Sequence, residues 1–198
     1  MLRIILVRPG STDFDEQGRI KGSLSIPLNA TGRGQVDRVV DELSQLTVDA
    51  VYCSPCESAM ETASLIARNH SVKRKAVRRL ENLDHGLWHG KLIDEVRRQQ
   101  PRVYKSCQQH PEDVCPPEGE AMPSACRRVR QALTRIVRRH RKGAVAIVVP
   151  EPLASIVRCV LEQTDLPNLW AVECDTGVWE SIDVAAESTL AAALAFGR

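Results

Sequence analysis

Two apolar runs, residues 2–7 (interrupted only by Arg3) and 144–149, constrain this fold more than any other feature of the chain. A stretch of about six residues, apolar at nearly every position, is too short for an ordinary helix and has no side to offer solvent. It reads as a strand buried on both faces, which belongs in a parallel sheet covered by helices. The segments between carry the helical spacing that such a sheet needs. Thr31 is placed to cap a helix running to about Leu46, with Val36, Val39, Val40, Leu43 and Leu46 on its inner side. Residues 48–53 form a second strand. Pro55 suits the first turn of a helix that buries Ala59, Ala63, Ile66 and Ala67. A short strand over 76–80, a helix over 124–142 and a helix opened by Pro152 follow, then strands near 169–174 and 178–184 and an Ala-rich terminal helix. Residues 91–122 are polar and Pro-interrupted, and read as short helices inserted over one end of the sheet. The pattern predicts one α/β domain over 1–198: a three-layer α/β/α sandwich around a mostly parallel sheet.

Composition narrows the function classes. Lys plus Arg is 27 and Asp plus Glu is 25, so the net charge of +2 gives no global reason to expect nucleic acid or an anionic membrane. No apolar run approaches the ~20 residues of a membrane span. The first residues reach Arg3 and Arg8 too soon for a signal peptide. With seven cysteines, an odd number, this places the chain in a cytoplasm with reduced thiols. Cys53 and Cys56 have C-x-x-C spacing, which leaves open a thiol or metal module; a zinc site needs further ligands at matched spacing, and none is apparent. No cofactor or metal is expected.

The informative residues lie where the strands end, which is where an open α/β sheet binds ligands. Leu6-Val7-Arg8-Pro9-Gly10 ends the first strand. Ile26-Pro27-Leu28-Asn29-Ala30-Thr31-Gly32-Arg33-Gly34-Gln35, Ser54-Pro55 with Ala59 and Thr62-Ala63, Asp84-His85-Gly86-Leu87-Trp88-His89-Gly90 and Gly119-Glu120 follow in order. Together these segments resemble the L-V-R-H-G, P-L-T-x-x-G-x-x-Q, S-P-x-x-R-A-x-x-T-A, D-F-G-x-W-E-G and G-E-S elements of the histidine phosphatase, or phosphoglycerate mutase-like, superfamily. The resemblance implies that family's fold and phosphoryl transfer through a phosphohistidine.

It also implies where the chemistry should sit, and there the residues differ. The nucleophilic histidine falls on Pro9, which has no side-chain nucleophile. The second histidine falls on Glu151, the second phosphate-binding arginine on Ser58, the leaving-group acid on Asn82 and a phosphate-contacting asparagine on Asp15. Arg8 is retained. Arg8 against Asp15 and Glu151 sums to about −1, which would repel a phosphate. Nucleophilic catalysis needs an activated nucleophile, and developing charge needs preorganised cations. The expectation is therefore an inactive member with a binding, regulatory or scaffolding role, in which Glu151 takes the anion's place beside Arg8. Arg8, Glu151 and Trp88 are the candidate ligand contacts, and the ligand is an unidentified protein or small molecule; family members are often dimers, so a homodimer stays open. The alternative is a phosphatase- or phosphomutase-like enzyme with non-standard active-site residues, among them Glu151, Asp84 or Cys56.

Other residues take plainer readings. His85 and His89 lie four apart on a Gly-flanked loop, where that spacing does not make a metal pair. His70, His110 and His140 fall beside polar stretches. Lys73, Arg74, Lys75, Arg78 and Arg79 form one basic run and residues 127–142 another, the second on an amphipathic helix whose outer face is expected to be solvated.

Overall fold

The computed structural model describes residues 1–109, 115–165 and 176–184. Among these, the strands are β1 (Leu2–Arg8), β2 (Ala50–Cys53), β3 (Arg74–Ala76), β4 (Gly143–Val148) and β5 (Val178–Val184), in the spatial order β3-β2-β4-β1-β5. β3, β2, β4 and β1 run parallel; β5 returns antiparallel along β1, with Leu2 opposite Val184 and Arg8 opposite Val178. The helices are α1 (Asp13–Glu16), α2 (Ala30–Leu43), α3 (Glu57–Asn69), α4 (Ile93–Gln99), α5 (Pro101–Gln109), α6 (Met122–Arg139) and α7 (Leu153–Glu162).

Alternation along β1 sorts the layers, because successive side chains leave a strand on opposite faces. Ile5 and Val7 pack with Val39 and Leu43 of α2 and Ala63 and Ile66 of α3. Ile4 and Leu6 pack with Leu133 and Ile136 of α6 and Leu153 and Ile156 of α7. The result is the three-layer α/β sandwich that the apolar runs predict, its sheet made mixed by β5. A smaller core of Ile20, Trp88 and Val96 ties α4 to the loops above the strand ends.

Local differences have local causes. Asn29, not Thr31, caps α2: its side-chain oxygen accepts the Gly32 N–H at 2.8 Å, while Thr31 is the second residue of the helix and its hydroxyl donates to Glu16 at 2.9 Å. Pro55 precedes α3 instead of entering it; Cys56 is the extended residue at the N-cap. The third strand falls at Arg74–Ala76, earlier than 76–80, and residues Arg78–Leu80 form a 3₁₀ turn. All three β3 residues are exposed, so apolar patterning could not locate this edge strand; its charges suit an edge that must not recruit another chain. The short helices expected over 91–122 appear as α4 and α5. The strand expected near 169–174 and the terminal helix lie outside the described residues. Among the described residues no helix is long and apolar enough to cross a membrane.

Candidate active site

β1 and β4 are hydrogen-bonded neighbours that run the same way, so the turns at their carboxyl ends meet. Arg8 closes β1, and Glu151 lies in the turn between β4 and α7. Each is 5% exposed, and the Arg8 Nε–H donates to Glu151 Oε1 across 143 residues of sequence. The other carboxylate oxygen, Oε2, accepts the Ser155 N–H at 3.1 Å and its hydroxyl at 2.9 Å. The carboxylate thus occupies the first turn of α7, where unpaired N–H groups and the helix dipole favour an anion. Glu180 of β5 faces the same guanidinium, at 3.1 Å from Nη1, and Arg158 of α7 lies 3.6 Å from its second oxygen.

The remaining sequence-derived positions are employed within the protein. Pro9 accepts the Gly177 N–H through its carbonyl at 2.8 Å. Asp15 accepts the Thr12 N–H and hydroxyl, each at 2.7 Å, closing the capping box of α1, and its other oxygen meets Lys21 Nζ at 2.5 Å. Asn82 donates its amide to Gly22 O at 3.0 Å and Glu151 O at 2.9 Å, bridging two loops of the cleft. Ser58 is buried in the first turn of α3, its hydroxyl 3.9 Å from Cys56 Sγ. Trp88, at 1% exposure, packs against Ile20 and Val96 in the small core and does not line the cleft. Sequence reasoning missed Lys21, Glu180 and Arg158. Glu180 had a signal in principle: it stands opposite Leu6, two residues from Arg8 on the same face of β1, but only the antiparallel register of β5 makes it a diagonal neighbour.

Of these groups Asp15, Lys21 and Glu151 line a small cleft, together with Phe14, Arg19 and Gly22 among others. Its charge differs from the sequence sum of about −1. Arg8, Lys21 and Arg158 stand against Asp15, Glu151 and Glu180, so the described ion pairs balance. A carboxylate held on a guanidinium beside a lysine can accept a proton from water, and the cations can neutralise an oxyanion once a substrate exchanges with the internal carboxylate.

The loop above holds a pair of imidazoles. The Ser23 and His85 N–H groups both donate to His89 Nε2, each at 3.2 Å, which leaves the His89 proton on Nδ1, 3.8 Å from Asp84 Oδ1. His89 therefore clips the 22–23 turn to the 85–89 turn. Gly22, at φ +50°, makes room for it: a Cβ there would stand 2.3 Å from His89 Nε2 and 2.9 Å from His85 Nδ1. His85 is buried, and its pKa is pushed down to about 4, first by burial and then by neighbouring His89. The folded protein keeps this imidazole neutral, while the unfolded chain takes up its proton near 6.5. Stability is therefore expected to be full above about pH 6.5 and to fall towards pH 4, by on the order of 3 kcal/mol from His85 alone. Urea unfolding at several pH values should show this slope, and His85→Phe should remove that part of it; equal slopes in both proteins would count against the assignment.

Cys53 is buried among the apolar residues of the α2–α3 face, its thiol pushed up by burial, with Arg74 Nη1 3.8 Å from the sulfur. Among the described residues no group of three or more His, Cys, Asp or Glu side chains gathers as a metal site.

Known proteins resemble this chain along most of its length. Phosphoserine phosphatase 1 of Hydrogenobacter thermophilus is 29% identical over 182 residues, covering 92% of this chain and 86% of the relative. The adenosylcobalamin/alpha-ribazole phosphatase of Salmonella typhimurium is 25% identical over 183 residues, covering 92% and 91%. The structure of Bacillus stearothermophilus YhfR superposes with a TM-score of 0.83 at 26% identity, covering 94% of this chain and 96% of that one. Full-length relatives that carry phosphatase names overturn the expectation of an inactive protein. That expectation took the residues at Pro9, Ser58, Asn82 and Glu151 as proof of lost catalysis. Proline at position 9 excludes a phosphohistidine at that position and says nothing about the other groups of the cleft. The sequence profile of the histidine phosphatase superfamily (branch 1) matches residues 4–195, and the chain belongs to that family.

Proposed function

We propose that this chain is a phosphatase- or phosphomutase-like enzyme that acts on a phosphate monoester with non-standard active-site residues. The observation that carries the reading is the buried Arg8 at the end of β1, paired with Glu151, which lines a cleft that has Lys21 and Arg19 on its wall. The phosphatase names of relatives spanning most of the chain support it. With Pro9 at the nucleophile position, the attacking group is water or a cleft carboxylate. Glu151 is the first candidate to take the water's proton, since Ser155 already holds its second oxygen and can keep it in place when Oε1 leaves Arg8. Arg8 and Lys21 would then face the phosphoryl oxygens. Asn82 cannot protonate a leaving group, so good leaving groups should be strongly preferred. The free, mostly buried cysteines among the described residues support a reducing, cytoplasmic setting.

The test is steady-state hydrolysis of p-nitrophenyl phosphate and of phosphoserine. The aryl ester is expected to turn over faster, with Glu151→Gln lowering kcat by about 10²-fold or more. Absence of turnover above buffer by the wild-type protein, for both esters, would sink the reading.

A further inference from the structure

The net charge of +2 conceals a segregation that the fold turns into a surface. Residues 73–79 and 121–142 hold thirteen of the 27 basic residues and none of the 25 acidic ones. The remainder has 14 basic against 25 acidic residues, a charge of −11. In sequence these are two separate runs. In the structure they form one face. The 3₁₀ turn Arg78–Leu80 packs against α6, Arg79 Nε donates to Gln131 Oε1 at 3.0 Å, and Arg128 Nη1 donates to the Arg79 carbonyl at 3.0 Å. Tyr52 of β2 reaches His140 at the end of α6, with its hydroxyl 2.9 Å from Nε2. Lys75 is the register partner of Tyr52, so it leaves the sheet on the α6 side.

The buried residues of α6 include Val129, Leu133, Ile136 and Val137, which turns Arg135, Arg138 and Arg139 outward; Lys142, also exposed, follows the end of the helix. The neighbouring carboxylates are already engaged or lie at the edge. Glu120 is gripped by Arg128 at 2.7 and 2.8 Å, Asp49 accepts the Ala144 N–H at 2.8 Å at the far end of the face, and Glu81 follows the 3₁₀ turn.

We propose that this face, built on Lys75, Arg79, Arg135, Arg138, Arg139 and Lys142, binds the phosphate backbone of double-stranded nucleic acid. The ligand class follows from the chemistry. Guanidinium forks match phosphate oxygens in pairs, and arginine predominates here. The 18 residues of α6 span roughly 27 Å, comparable to one turn of a duplex. The two segments contain no Phe, Tyr or Trp on which unpaired bases could stack, which disfavours a single strand. Backbone contact without base contact makes the binding indifferent to sequence. The face lies on the β3 and α6 side and is independent of the cleft chemistry.

Fluorescence anisotropy with a labelled duplex of about 20 base pairs, titrated at several salt concentrations, tests this. Six phosphate contacts predict a log–log salt slope near −5 and roughly a 10³-fold loss of affinity between about 50 and 200 mM salt. The variant Arg135→Gln, Arg138→Gln, Arg139→Gln, Lys142→Gln should reduce that slope by between about 3 and 4. Arg33→Gln with Arg38→Gln, on exposed α2 positions across the sheet, should leave it unchanged. Two duplexes of unrelated sequence should bind within about twofold of each other. No binding at 50 mM salt, an unchanged slope in the quadruple variant, or equally tight binding of poly-glutamate would overturn the proposal.

Discussion

Arg8→Ala is expected to abolish phosphate-ester turnover and to lower the unfolding free energy by about 3–5 kcal/mol. Arg8 is the cation that Glu151 and Glu180 share, and Arg8 and Glu151 are each 5% exposed. Alanine leaves Glu151 with its Ser155 bonds but no opposite charge, at 5% exposure, where solvent replaces only part of what the guanidinium supplied. The two effects separate in a second variant. Arg8→Met with Glu151→Met removes both charges and their desolvation cost together, so much of the lost stability should return. Turnover should not return, because the phosphate-facing cation is still missing. Urea unfolding of wild type, Arg8→Met, Glu151→Met and the double variant gives the coupling energy directly. A single variant as stable as wild type would mean that the pair is not buried as described. Retained turnover in Arg8→Ala would remove Arg8 from the proposed chemistry.

Gly32→Ala should cost about 3 kcal/mol or more, a large effect for the addition of one methyl group. The first turn of α2 and the loop after β1 meet backbone to backbone. A Cβ on Gly32 would stand 2.1 Å from Ser11 O and 2.7 Å from Ser11 N, and one on Gly10 would stand 2.3 Å from Gly32 O. No flexible side chain intervenes to move aside, so the loop itself must shift, and it is the loop that follows Arg8 and Pro9. Stability and turnover should therefore fall together. Gly34→Ala is the control. Its Cβ would meet nothing within 4 Å, and it sits on the exposed side of α2, where alanine should stabilise by up to about 1 kcal/mol. Thermal melts of the two variants should move in opposite directions; a Gly32→Ala protein melting with wild type would show that the contact is looser than described.

Features that depend on neighbours in sequence were legible before the fold. The buried strands 2–7 and 144–149, the inner faces of α2, α3 and α6, and the helix after Pro152 all follow from spacing. The exceptions are equally local. Thr31 and Asn29 both qualify as N-caps by residue type, and only the backbone path chooses Asn29. β3 carries no apolar signal because an edge strand buries little. Motif order singled out Arg8, Asp15, Asn82 and Glu151, which the fold brings to one place; Ser58, from the same reading, contacts Cys56 instead. Residue identities at these positions do not decide activity, because Lys21, Glu180 and Arg158 join the site from segments that no motif marks.

The sequence alone determined the layered α/β fold, the family resemblance and the identities Pro9 and Glu151, since hydrophobic period and motif order are read along one chain. Tertiary structure decided which charges face one another. It added Glu180 to the expected pair of Arg8 and Glu151, matched Asp15 with Lys21 and drew two distant basic runs onto one face. The physical reason is that Coulomb interaction and desolvation depend on separation and burial in space, and both are created only when strands and helices far apart in the chain pack together.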